Sequence, residues 1–151
     1  MLNQALSDFS LSGTGTVPFR LSEIATALVV IYFYPKDNTP GCTAEGANFR
    51  DLYKDFRKAA CEIVGISRDS IKSHQNFKVK MGFPFELLSD EDEKICNLFA
   101  VIKMKNMYGK KVRGIERSTF VLDKNRIVRG EWRGVKVPGH VQEVLDFVRA
   151  V

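Results

Sequence analysis

The chain has 151 residues, of which 44% are hydrophobic and 27% charged, and its formal net charge is +5. A chain of that length and composition buries a core without disulfides or a structural metal, so a disordered tail and a disulfide-stapled miniprotein are both excluded. No apolar run reaches membrane-spanning length, and Met1 to Phe9 has no basic region followed by an apolar stretch, so neither a membrane nor a secreted protein is expected. Three cysteines, Cys42, Cys61 and Cys96, are an odd number, which fits a reducing cytoplasm better than an extracellular scaffold. His74 and His140 stand alone, and no Cys/His cluster has zinc spacing. Part of the positive charge lies in Lys103 to Arg113, "KMKNMYGKKVR". One aromatic and no repeat make that stretch a solvated loop rather than a nucleic-acid surface.

Neither a repeat nor a linker interrupts the chain, so residues 1–151 are expected to form one domain. "SDFSLS", a Gly13-Thr14-Gly15 turn and "VPFRL" predict an N-terminal β-hairpin. "ALVVIYFY", Ala27 to Tyr34, is apolar on both alternating faces, as a central strand covered on both sides must be. Pro35 stops it. Thr39 is a good N-cap and Pro40 fits the first helical position. Phe49, Leu52, Tyr53, Phe56 and Ala60 then keep helical spacing. "CEIVGIS" predicts a second buried strand. "DSIKSHQNFKVKM" predicts a helix with Ile71, Phe77 and Met81 inward, and "FELLS" a short strand. Asp90 with Glu93 is expected to cap a further helix with the stripe Ile95, Leu98, Phe99 and Ile102. "STFVLD" and "IVRGEW" flank a turn at Lys124-Asn125. A last helix from near Pro138 carries Val141, Val144, Leu145 and Val148 on one face. The order predicts an α/β domain with helices on both faces of a central sheet. Chemistry in such sheets usually sits beyond the carboxyl ends of the parallel strands.

Cys42 falls at that position. With Thr39 as N-cap it is the third helical residue, where orphan backbone N–H groups and the helix dipole favour a thiolate. Phe49, seven residues on, shares its helix face and shelters the sulfur. The competing reading of a lone cysteine is a small buried hydrophobe. The strand-end and first-turn placement favours a nucleophile.

Pro35-x-x-x-Thr39-x-x-Cys42 is the active-site pattern of the peroxiredoxins. "YFYPKDNTPGCT" resembles the bacterioferritin comigratory branch, also called peroxiredoxin Q. "SHQNF", "FELLSDED", "YGKKVRGIERSTFVLD" and "GHVQEVL" resemble that branch in the same order, over nearly the whole chain. The N-terminus is less typical, with Leu6-Ser7 before Asp8-Phe9. The resemblance implies a thioredoxin-like fold with an added N-terminal hairpin. It implies reduction of hydrogen peroxide and organic hydroperoxides, with no metal, haem or flavin. Cys42 would be the peroxidatic nucleophile and become a sulfenic acid. Thr39 would hold thiolate and peroxide through its hydroxyl, or serve only as a cap. Pro35 would shield the sulfur, or only end the strand. The active-site arginine falls on Arg117 in "GIERSTF"; the competing reading is a surface arginine. A free thiol is already a few per cent thiolate near neutral pH, so ionisation alone gives a modest gain. Donors aimed at the leaving oxygen must supply the rest.

Many relatives in that branch carry a resolving cysteine five residues after the first, where Ala47 stands here, or about thirty-six on, near Phe77-Lys78. Cys61 follows a helix of roughly 25–30 Å, too far for a disulfide, and reads as core. Cys96 lies early in a later helix, where a resolving role and a structural one compete. The expected cycle is therefore of one-cysteine type, with thioredoxin, glutaredoxin or glutathione as reductant. The alternatives are an atypical two-cysteine cycle through Cys96 and a redox-sensing or chaperone-like binding protein. A cytoplasmic monomer or weak dimer is expected, without a membrane or nucleic-acid partner.

Overall fold

The computed structural model describes residues 1–151. In chain order the elements are β1 (Ser10–Leu11), β2 (Phe19–Arg20), β3 (Leu28–Phe33), α1 (Pro40–Lys58), β4 (Cys61–Ser67), α2 (Ile71–Met81), β5 (Glu86–Ser89), α3 (Lys94–Leu98), β6 (Ile102–Met107), β7 (Lys110–Ile115), β8 (Ser118–Asp123), β9 (Val128–Arg133) and α4 (His140–Ala150). Five strands form the main sheet in the order β5-β4-β3-β8-β9. The β3, β4 and β5 strands are parallel, and β8 runs antiparallel to β3 and to β9.

β3 is the middle strand and all six of its residues are buried. Its alternation divides the core in two. Val30, Tyr32 and Tyr34 face Phe49 and Phe56 of α1, Phe77 of α2 and Val144 and Leu145 of α4. Val29, Ile31 and Phe33 face Phe9, Ile95, Phe99 and Ile115 on the other side. No helix is long and apolar enough to cross a membrane.

α1 begins where expected, with Thr39 extended at the N-cap and Pro40 in the first turn. Its last turn carries Arg57 and Lys58, which complement the negative end of the helix dipole. Gly46 lies inside this helix, where glycine ordinarily weakens it by about 0.5–1 kcal/mol. It is needed because an added Cβ would sit 2.4 Å from the Phe83 ring.

Four expectations differ from the structure. The N-terminal hairpin has only two paired positions, and its connection from Ser12 to Pro18 reaches the sheet edge, where Gly13 bridges Leu88. Lys103–Arg113 is no loop but most of a β-hairpin, turning at Tyr108-Gly109 with φ of 53° and 78°. Two positive φ values are the signature of the tight primed turn. The helix after β5 ends at Leu98, and Ile102 belongs to β6. Asp90 caps that helix with both oxygens, accepting from the Ile95 and Cys96 N–H groups at 3.1 and 2.7 Å. Glu93, expected to share the capping, instead takes a left-handed backbone and pairs with Arg68 and Arg113.

Candidate active site

Cys42 stands in the first turn of α1, beyond the carboxyl end of β3, and only 2% of it is exposed. Arg117 comes to it from the β7–β8 connection. The register pairs Phe33, the last residue of β3, with Ser118, the first of β8, so Arg117 lies at the same sheet end. Its backbone is pinned on both sides: Glu116 N–H donates to the Val101 carbonyl at 2.8 Å, and the Arg117 carbonyl accepts from Val135 N–H at 3.0 Å. The guanidinium then forks. Nη2 donates to Cys42 Sγ at 3.4 Å, and Nη1 donates to Glu45 Oε1 at 2.7 Å. Burial alone would lower the guanidinium's pKa, but Glu45 and Cys42 outweigh that and raise it.

Thr39 does not donate to the sulfur. Its hydroxyl donates to the Lys36 carbonyl at 2.8 Å and makes no cap bond to the helix. With its proton committed there, the oxygen has only lone pairs to offer. In this orientation it is free to accept a hydrogen bond. Pro35, half-buried, lies in the connection between β3 and α1.

Three groups at this end were not anticipated from the sequence. Glu45 is fully buried, and burial pushes its carboxyl up to about 7 against the opposing pull of Arg117. Its only sequence signal is the i, i+3 spacing from Cys42. Lys105 of β6 is a second cation: burial, then repulsion from Arg117, hold its ammonium below the usual range, and Nζ donates to the Ile115 carbonyl.

The third is a buried network beneath the loop that carries Pro35 and Thr39. Asp37 Oδ1 accepts from the Tyr34 hydroxyl at 2.6 Å. Its Oδ2 accepts from Ser73 at 2.8 Å and lies 2.7 Å from His74 Nδ1. His74 Nε2 faces the Leu88 carbonyl at 3.0 Å, and Asp69 accepts from Asp37 N–H at 2.9 Å. Asp37, Asp69 and His74 are close enough to suggest a cation site, but their oxygens and ring nitrogens already face these protein partners. The network fastens the loop to α2 and β5. Burial raises the Asp37 carboxyl, but hydrogen bonds with His74 and Tyr34 outweigh it and hold it below the ordinary value of 3.8. A depressed carboxylate contributes stability above its unfolded pKa, and that contribution disappears as pH falls through the folded one. Asp37→Asn should therefore flatten the acid limb of stability below about pH 4. His74→Ala removes one hydrogen-bond partner from the buried Asp37, which keeps Tyr34 and Ser73, and should destabilise by about 1–3 kcal/mol. Urea unfolding across pH measures both effects.

The other two cysteines lie elsewhere. Cys61 pairs with Leu28 at the opposite end of the sheet, and burial pushes its thiol up to about 12. Cys96 is completely buried on the other face of the sheet, packed with Phe33 and Phe99, while Cys42 packs with Tyr32 and Phe49. Burial, then Asp90, raise the Cys96 thiol well above its ordinary range.

The chain matches the AhpC/TSA family over residues 2–131. It is 53% identical to Peroxiredoxin Bcp of Xanthomonas campestris, over 99% of this chain and 93% of that protein. It is 43% identical to Peroxiredoxin Bcp of Bacillus subtilis, over 98% and 94%. Among solved structures, a mutant of Xylella fastidiosa PrxQ superposes with a TM-score of 0.93 at 43% identity, covering 99% of this chain and 96% of that one. A mutant of Xanthomonas campestris Peroxiredoxin Q superposes with a TM-score of 0.90 at 50% identity, covering 98% of both. The fold is that of the thioredoxin-fold peroxiredoxins. The chain belongs to the AhpC/TSA family and is a thiol-dependent peroxidase of the peroxiredoxins.

Proposed function

We propose that residues 1–151 act as one thioredoxin-like peroxiredoxin domain that reduces hydrogen peroxide and organic hydroperoxides by a one-cysteine cycle. The Cys42 thiolate attacks the terminal peroxide oxygen, an S–O bond forms, the O–O bond breaks, and the remaining oxygen leaves as water or an alcohol once protonated. Arg117 Nη2, already 3.4 Å from the sulfur, is the donor nearest to the charge that develops on the departing oxygen. Thr39 accepts the peroxide O–H and orients it, and Pro35 helps keep water from the sulfur. An external thiol then attacks the sulfenic sulfur and releases water. A second thiol breaks the mixed disulfide and returns Cys42. Thioredoxin, glutaredoxin and glutathione all have this chemistry. The protein acts as a cytoplasmic monomer or weak dimer in this reading.

The observation that carries the one-cysteine reading is the division of the core. Cys42 and Cys96 belong to clusters on opposite faces of a sheet whose middle strand is wholly buried. A disulfide needs Cα atoms within about 7 Å, and packing on opposite faces of a sheet supports resolution by an external thiol. Folded Cys61→Ser/Cys96→Ala protein should keep near-wild-type turnover of hydrogen peroxide with a dithiol reductant. Loss of most turnover in that folded variant would contradict the reading.

A further inference from the structure

One cation separates two acids at the candidate site. Arg117 gives Nη2 to Cys42 Sγ and Nη1 to Glu45 Oε1. Glu45 follows Cys42 by one helical turn and its side chain is completely enclosed. Its second oxygen, Oε2, is buried and has no hydrogen-bond partner. A carboxylate so placed must leave an unpaired, partly charged oxygen in the core, whereas a neutral carboxyl is far cheaper to bury. A thiolate and a carboxylate would also compete for a single guanidinium.

The other titratable groups at this end do not relieve that competition. Burial raises the Tyr32 phenol of β3 well above its ordinary value, so it stays neutral. His140 of α4 is lowered by burial to about 4 and is likewise neutral near pH 7. Lys105 of β6 is a weakened second cation whose ammonium is engaged by the Ile115 carbonyl. Cys42 and Glu45 remain as the two acids that face Arg117.

We propose that Cys42 and Glu45 share a single proton, which Glu45 holds while the thiolate is present and releases when the sulfur loses its charge. This rests on the peroxidase reading above. In the chemical step the thiolate, the Glu45 carboxylic acid and one hydroperoxide become the Cys42 sulfenic acid, the Glu45 carboxylate and one alcohol, or water from hydrogen peroxide. Sulfur is oxidised and the peroxide is reduced. The leaving oxygen takes up one proton as Glu45 releases one, so the reaction exchanges no net proton with bulk solvent. The site carries one negative charge beside Arg117 before and after the reaction, so Arg117 is never left without a counter-charge in a buried place. Glu45 is thus a positioning and proton-holding residue; it does not touch the peroxide.

Proton counting tests this. Reduced wild-type and Glu45→Gln proteins are mixed with hydrogen peroxide in weak buffer with a pH indicator. The working pH is near neutral, chosen so that ultraviolet absorbance shows the thiolate in both. The glutamine variant has no internal proton to give and should take up about one proton from solvent per sulfenic acid formed. Wild type should take up less than about half of that. Equal uptake by the two proteins overturns the proposal. A role limited to positioning Arg117 would slow the variant without changing the count. If the variant does not fold, infrared difference spectroscopy of wild type decides. Peroxide should remove a protonated-carboxyl C=O band, and its persistence would overturn the proposal. Failure of the peroxidase reading is seen separately, as the absence of any trappable sulfenic acid in wild type.

Discussion

Cys42→Ser should reduce peroxide no faster than the uncatalysed reaction. Serine keeps the size and position of the side chain, but its oxygen cannot be oxidised to the counterpart of a sulfenic acid, so the covalent step has no substitute. Neither remaining thiol can take over. Cys61 sits at the far end of the sheet and Cys96 on its other face, and burial raises both thiols well above the range in which a thiolate is available. Cys61→Ser should keep activity as long as the protein folds, which circular dichroism and urea unfolding establish. Peroxide consumption with a thiol reductant is the assay, and near-normal turnover by Cys42→Ser would contradict the mechanism.

Arg117→Ala should lower the second-order rate constant with peroxide by on the order of a hundredfold or more, equivalent to losing roughly 3 kcal/mol of transition-state stabilisation. Two bonds are lost together, Nη2 to the sulfur and Nη1 to Glu45. The second loss leaves a buried carboxyl without its cation, so the variant should also be less stable, and stability must be measured beside the rate. Arg117→Lys should recover only part of the rate. A single ammonium cannot present two donors in the fixed fork that serves Cys42 and Glu45 at once. Stopped-flow peroxide kinetics on folded protein decides the matter. An unchanged rate constant in Arg117→Ala would show that the guanidinium is not a donor to the reaction.

The parts of the fold that were readable from the sequence share a physical property: their pattern is set by burial. The strand from Leu28 to Phe33 is apolar on both faces because both faces are covered, and α1 repeats apolar residues at Phe49 and Phe56 because one face packs on that strand. The hairpin of β6 and β7 was unreadable for the opposite reason. Met104, Met107, Tyr108 and Val112 are exposed there and basic residues lie between them, so no inside–outside alternation marks the strands. The tight turn between them falls at Tyr108-Gly109.

At the site, Cys42 is a candidate through local pattern, since strand end, cap and first helical turn are close in sequence, and Arg117 through the resemblance of "GIERSTF" to a family motif. Glu45 and the Asp37–His74 pair were missed because their meaning is in contacts. A glutamate in an early helical turn reads as a solvated residue until Arg117, 72 residues away, is placed against it. Asp37 and His74 are 37 residues apart and become partners only when α2 packs beside the loop. Thr39 shows the limit of motif reading from another direction. Its hydroxyl donates to the Lys36 carbonyl, a contact that the motif alone does not reveal.

The central claim is that Cys42 alone bears the oxidising equivalent until an external thiol arrives. Intact mass after one equivalent of hydrogen peroxide, with a sulfenic-acid trap present, tests it directly in wild type and Cys96→Ser. Both proteins should gain one trap adduct, mapped to Cys42. A wild type that instead loses two hydrogens to a Cys42–Cys96 disulfide, while only Cys96→Ser is trapped, would contradict the one-cysteine cycle.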